Sequence, residues 1–120
     1  MSDAERQESM LKDARHSMER YRHSEALERM YETLVAHLVR RGIDVALVLS
    51  PYHPQAYREI IELDLAHPKV ERDFREFAER LGVGLVGSYD PVEAGCAADE
   101  FYDGMHPKPA CLKKILAPLL

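Results

Sequence analysis

Five consecutive apolar residues, Val45-Ala46-Leu47-Val48-Leu49, lie between a glycine at position 42 and the segment Ser50-Pro51-Tyr52-His53-Pro54. A strand that is apolar at every position offers no side to water. It belongs in a parallel sheet covered on both faces. Two prolines at its carboxyl end stop the pairing and start a helix that runs to about Ala66. The same unit recurs downstream. Phe74, Phe77, Ala78 and Leu81 form one face of a helix closed by Gly82, and Val83-Gly84-Leu85-Val86-Gly87 reads as a second strand.

The flanking segments complete the order helix–strand–helix–helix–strand–loop–helix, an α/β pattern. Ahead of the first strand, Ser24 is placed to cap a helix whose residues Leu27, Met30, Tyr31, Leu34 and Leu38 recur at three and four positions. That spacing predicts one buried face, with Arg40, Arg41 and Gly42 as its natural stop. Residues 1–23 add a strongly charged helix with apolar positions at Met10, Leu11, Ala14, Met18 and Tyr21. Beyond the second strand, Ser88 to Pro107 is a long loop, a length that is more often functional than idle. Pro107 or Pro109 opens a last helix carrying Leu112, Ile115, Leu116 and Leu119.

Composition narrows the classes of function. The 120 residues are enough for a single domain, and 46% hydrophobic with 31% charged residues describes a folding chain. Acids and bases are interleaved, with a net charge of -5, so neither a basic patch for nucleic acid nor a polybasic arm for membranes is present. The longest apolar run is far short of a membrane span. The first ten residues are too charged for the apolar core of a secretory signal. Cys96 and Cys111 sit in no metal-type spacing and are too few for a disulfide framework, so the expectation is a reduced pair in a cytoplasmic protein.

In an open parallel sheet, ligands bind beyond the carboxyl ends of the strands. Two segments lie there, Ser50–Pro54 and Ser88–His106, and both are rich in polar and aromatic side chains. Asp103 stands three residues before His106 on a turn softened by Gly104. Such an Asp can bring its carboxylate to imidazole Nδ1, fix the tautomer and leave Nε2 free to take a proton. The bare pattern is common, and by itself it also describes a surface turn whose Asp caps the following helix. Tyr52, His53 and Tyr102 are candidates to line an adjoining pocket, although helix-start packing and core packing account for the same residues. Ser50 is a weaker candidate, since a Ser before Pro at a strand end is usually a turn residue. Cys96 has no second signal as a nucleophile. A metal site built from His53, His67, His106 and Asp103 has no recognised ligand spacing. His16, His23 and His37 fall on helical stretches and read as solvated.

The segment Asp99-Glu100-Phe101-Tyr102-Asp103-Gly104-Met105-His106-Pro107 resembles the last block of the SGNH (GDSL-like) hydrolases. In that family an Asp-x-x-His pair lies between the final strand and the final helix. Val45–Pro54 resembles the strand and loop before that block in one branch of the superfamily, so the resemblance covers roughly residues 25–120. It implies a flavodoxin-like three-layer fold and hydrolysis or transfer of acyl esters, of small molecules or carbohydrates, with no metal or organic cofactor. By position, Asp103 is the orienting acid and His106 the general base. The family's nucleophilic Ser belongs to a Gly-Asp-Ser block after the first strand, and its oxyanion hole uses a Gly and an Asn. This chain has no Gly-Asp-Ser and no Asn, and residues 1–42 read as helical where the first three strands would stand.

The expectation that follows is the C-terminal portion of an ester hydrolase or acyltransferase, inactive alone. The alternatives are a non-catalytic α/β interaction module, or a hydrolase that recruits Ser50 or a residue of a second subunit. An apolar strand with one open edge also predicts a homodimer joined edge to edge through Val45–Leu49, unless the N-terminal helix folds over that side.

Overall fold

The two apolar runs pair with each other. In a computed structural model, β1 (Ala46–Leu49) and β2 (Gly84–Gly87) form a two-stranded parallel sheet with Leu47 opposite Leu85 and Val48 opposite Val86. The structure describes residues 2–20 and 23–120, and their side chains except at positions 10, 14 and 17–20. Parallel strands need a crossover connection, supplied here by α3 (Pro54–Glu62) and α4 (His67–Leu81). Ahead of the sheet come α1 (Asp3–Arg20) and α2 (Glu25–Arg40). The short helix α5 (Pro91–Ala94), a 3-10 turn (Ala98–Glu100) and α6 (Pro109–Leu116) follow it, with a last 3-10 turn at Ala117–Leu119.

Because side chains alternate along a strand, the register sorts the core into two layers. Leu47 and Leu85 face α2 and α4, where they meet Val35, Phe77 and Ala78. Val86 points the other way, against Ile115, Cys111, Cys96 and Phe101. Helices therefore pack on both sides of β2, a mixed helix-and-strand arrangement compatible with α/β. On β1 the cover is one-sided. Leu47 and Leu49 are buried, but Ala46 is exposed and Val48 is 46% exposed. The fully apolar run thus alternates in burial where cover on both faces was expected, because α6 reaches over β2 and stops there. The outer edge of β1 has no strand partner among the described residues.

The helix signals translate directly. Ser24 Oγ accepts the Leu27 amide at 3.2 Å, so α2 begins as its sequence requires. Gly42 and Gly82 take left-handed conformations after α2 and α4. Pro109, not Pro107, opens α6, since Pro107 is bridged to Phe101. One expectation needs correction. The α2 face drawn through Leu27, Met30 and Leu34 is not buried: these residues are 65%, 66% and 53% exposed, and the buried position of α2 is Val35. The helix touches the fold along one edge of that face, where Tyr31 meets the ring edges of Phe74 and Phe77 and Leu38 is half-buried. In addition, α1 lies along α3 through a Gln7–Gln55 hydrogen bond of 2.8 Å and an Arg15–Glu59 ion pair. Of its expected apolar positions Leu11 is half-buried, while Met10, Ala14, Met18 and Tyr21 lie outside the described side chains.

The sheet closes at Gly87. Its φ of +81° is left-handed, and a Cβ there would run into the carbonyl oxygen of Leu49 and crowd Ile115. Gly82 has the same hand but open space around it. Gly87→Ala is therefore expected to cost about 2–4 kcal/mol in urea unfolding, from φ strain and overpacking together. Gly82→Ala should cost only about 1–2 kcal/mol. Equal losses at the two glycines would contradict the close approach of Gly87 to β1.

Candidate functional site

The loops that follow β1 and β2 are laced together by their backbones. The Tyr52 amide donates to the Tyr89 carbonyl at 3.0 Å, and the His53 amide donates to the Gly104 carbonyl at 2.9 Å. These bonds bring both sequence-predicted segments to one place at the carboxyl end of the sheet. The turn from Phe101 to Pro107 is itself closed, by an antiparallel bridge at its base and by the Tyr102 amide donating to the His106 carbonyl at 2.8 Å.

Asp103 organises that turn. One carboxylate oxygen accepts the Met105 amide at 2.8 Å and the His106 amide at 2.9 Å. The same carboxylate meets His106 Nδ1 at 2.7 and 2.8 Å. Desolvation pushes the Asp103 pKa up, but the Met105 amide, the His106 ring and the His106 amide outweigh it and hold the carboxyl below its ordinary value. An ionised carboxylate only accepts, so Nδ1 carries a proton, and in the neutral ring Nε2 is the nitrogen with the lone pair. The His106 side chain is 67% exposed. Asp103 caps its own turn. It does not cap α6, whose N-cap Lys108 makes no side-chain bond.

The other candidates take different places. His53 is buried and is the N-cap of α3: its Nδ1 accepts the Gln55 amide at 3.1 Å and its ring packs edge-on against Phe101. It therefore supports the Asp103 turn from beneath. Tyr52 is half-buried among His67 and Tyr89, with its hydroxyl 3.2 Å from His67 Nε2. Tyr102 is exposed, with Lys108 Nζ 5.8 Å above its ring centre. Ser50 is exposed, and no hydrogen bond joins it to His106 among the described residues.

Sequence reasoning gave no structural role to His67, Glu71 or Ser88. His67 continues the stripe of Val70, Phe74 and Phe77 and is buried, a signal that was present in the spacing. Ser88 is buried just after β2, where its hydroxyl and the Tyr89 amide both donate to Glu71 at 2.8 Å. Nothing local in the sequence announces that contact, which spans 17 residues. For metal ligation, His53, His67, His106 and Asp103 do not form a cluster. The group that comes within ligand spacing among the described residues is His23, Glu28 and Asp73. Its members already have near neighbours, His23 Nε2 lying 2.6 Å from Glu28 and Asp73 being paired with Lys69 at 3.1 Å.

Cys96 and Cys111 are joined in a buried disulfide, which corrects the expectation of two reduced thiols and removes Cys96 as a nucleophile. The bond encloses the Asp103–His106 turn in a loop and ties it to α6. Lys114 adds a second tie, reaching Glu100 at 2.7 Å. For a loop of this size the chain-entropy model assigns a disulfide about 3 kcal/mol. Reduction is expected to lower stability by about that amount and to speed amide exchange most across residues 97–110. Unchanged exchange there would mean that the loop is held without the bond.

Burial lowers the pKa of both His53 and His67 from the ordinary 6.5. A depressed value means that the folded state binds these protons less readily than the unfolded chain. Their contribution to stability is complete above pH 6.5 and is lost as pH falls toward the lowered folded values. Protonated Nδ1 of His53 could no longer accept the Gln55 amide. Urea midpoints should therefore fall below pH 6.5, and His53→Gln should shrink that dependence; a flat profile from pH 7 to 5 would contradict it.

No protein-family model matches this chain, and comparisons with curated proteins and with solved structures likewise return no match.

Proposed function

We propose that this chain supplies the acid–base half of an SGNH-like serine ester hydrolase or acyltransferase, with flavodoxin-like architecture. In this reading the nucleophile and oxyanion donors come from outside these 120 residues. One observation carries it: Asp103 holds His106 Nδ1 at 2.7 Å with Nε2 left open, on the loop after the last strand and before the last helix. The uncovered face and edge of β1 support it, since they are where further strands and a covering helix would pack.

The chemistry would run in two acyl-transfer steps. A serine hydroxyl attacks the ester carbonyl as its proton passes to His106 Nε2, and Asp103 stabilises the imidazolium. The imidazolium then protonates the departing alcohol. Water, or an acceptor hydroxyl in a transferase, repeats the sequence in reverse and releases the acyl group. Oxyanion donors contribute a large share of such rates, and residues 1–120 contain no Asn to serve as one. Acyl esters of small molecules or carbohydrates are the substrate class, with no metal or organic cofactor. The bonded cysteines weigh against a reducing, cytoplasmic setting. No helix among the described residues is long and apolar enough to cross a membrane. The second reading, a non-catalytic interaction module, is favoured by the bare apolar face of α2.

Two assays separate these readings. The chain alone should turn over short-chain nitrophenyl esters no faster than His106→Ala; turnover that depends on His106 would mean that a nucleophile is already present. Residues 25–120 joined to the N-terminal half of an active SGNH esterase should give hydrolysis that requires His106. In that fusion Asp103→Asn should lower the rate by less than the roughly 10⁴-fold seen for a serine-protease triad, because some SGNH-like sites orient their His partly through backbone carbonyls. A folded fusion that labels with a fluorophosphonate yet ignores His106→Ala would remove the turn from the mechanism.

A further inference from the structure

One peptide plane joins the two loops of the candidate site. The Gly104 carbonyl accepts the His53 amide at 2.9 Å, and the Met105 amide donates to Asp103 Oδ1 at 2.8 Å. That carbonyl and that amide are the two edges of a single planar, trans peptide group, so they point in opposite directions and turn as one body. A rotation of the plane that breaks one bond breaks the other. Glycine has no Cβ to resist such a rotation, so the local chain does little to set the orientation of this group. It is held from outside the turn. His53 grips the carbonyl edge, and the Met105 side chain packs against the Ala56 and Ile60 cluster of α3.

We propose that His53 is a positioning residue for His106, acting through its backbone amide and not through its ring. The His53 amide fixes the Gly104–Met105 plane, the plane fixes the Asp103 carboxylate, and the carboxylate holds the imidazole at Nδ1. His53 is itself well anchored for this task. It is 4% exposed, its Nδ1 accepts the Gln55 amide at 3.1 Å, and its ring lies edge-on to Phe101. One residue earlier, the Tyr52 amide donates to the Tyr89 carbonyl, and the Tyr89 amide donates to Glu71 on α4. The start of α3 therefore sets the tautomer of a histidine far downstream in the sequence. This coupling is a property of the chain's own turn and stands independently of the ester-hydrolase reading. Under that reading, it adds the loop after β1 to the acid–base machinery.

Substitution at position 53 separates the amide from the ring. The φ of His53, −54°, is one that proline adopts, and proline puts a ring carbon where the amide hydrogen was. His53→Pro should therefore push the Gly104 carbonyl away and release the plane. His53→Asn keeps the amide and keeps a side-chain oxygen able to cap α3. Nitrogen-15 shifts of the neutral His106 ring should show one tautomer, protonated at Nδ1, in the native chain and in His53→Asn. His53→Pro should show both tautomers, with unchanged helical circular dichroism. A folded His53→Pro chain that keeps the single tautomer would overturn the proposal. Loss of that tautomer in His53→Asn would also overturn it, because the ring would then carry the effect. Amide hydrogen exchange reads the same coupling from the other end, so it decides the matter if His53→Pro does not fold. Asp103→Ala removes the acceptor of the Met105 amide. Exchange at the His53 amide should then speed by about tenfold, the equivalent of one hydrogen bond, while Tyr52, bonded outside the turn, keeps its rate. Equal His53 rates in the two chains would overturn the proposal.

Discussion

Everything at the candidate site hangs on the pairing of four residues of β1 with four of β2. Gly87 lets the last pair close, because only a residue without Cβ can take a left-handed φ directly against the Leu49 carbonyl. From that point the two chains diverge into loops that start side by side. The Tyr52–Tyr89 and His53–Gly104 backbone bonds are then short-range consequences of the strand register. Buried Pro51 and the His53 cap turn the first loop into α3 at once, so it cannot wander from the second. A site assembled this way inherits its geometry from the sheet, although its chemical groups sit on loops.

At the tip of the second loop one carboxylate has two duties. Asp103 closes its own turn through the Met105 and His106 amides and also holds the His106 ring. A turn cap and a carboxylate that orients an imidazole are usually weighed as rival explanations, but here one geometry does both. The amide bonds fix the carboxylate, and the fixed carboxylate fixes the tautomer. The disulfide to α6 and the Lys114–Glu100 pair hold the base of the same loop. The imidazole is thereby positioned in a chain that offers it no partner on its Nε2 side among the described residues. Under the proposed ester-hydrolase reading, the hydroxyl that this imidazole would deprotonate comes from outside residues 1–120.

Local signals in the sequence read well, and distant ones did not. Ser24, Gly42, Gly82 and Pro109 act where their backbone chemistry requires, and both strands lie within one residue of their apolar runs. The Asp103–His106 contact was also legible, because three-residue spacing on a Gly-containing turn leaves few other geometries. The long loop proved less bare than expected, since Asp90 caps α5 through the Val92 amide. The Cys96–Cys111 bond was not legible: two cysteines 15 apart bond only if a loop returns to a helix, and spacing does not encode that. The apolar stripe of α2 was read as buried because periodicity reports a face that must be covered without saying by what. His53 was read as a candidate pocket residue with helix-start packing as the alternative, and it is the buried N-cap of α3. Both roles place a polar side chain at the end of a strand, and burial alone distinguishes them.

The central claim is that Asp103 holds His106 in one tautomer with Nε2 available as a base. Nitrogen-15 chemical shifts of the imidazole in the intact chain near neutral pH measure this directly. The account predicts a protonated Nδ1 and an unprotonated Nε2 in the neutral ring, with that preference abolished in Asp103→Asn. A neutral ring protonated at Nε2, or one indistinguishable from free imidazole, would contradict it.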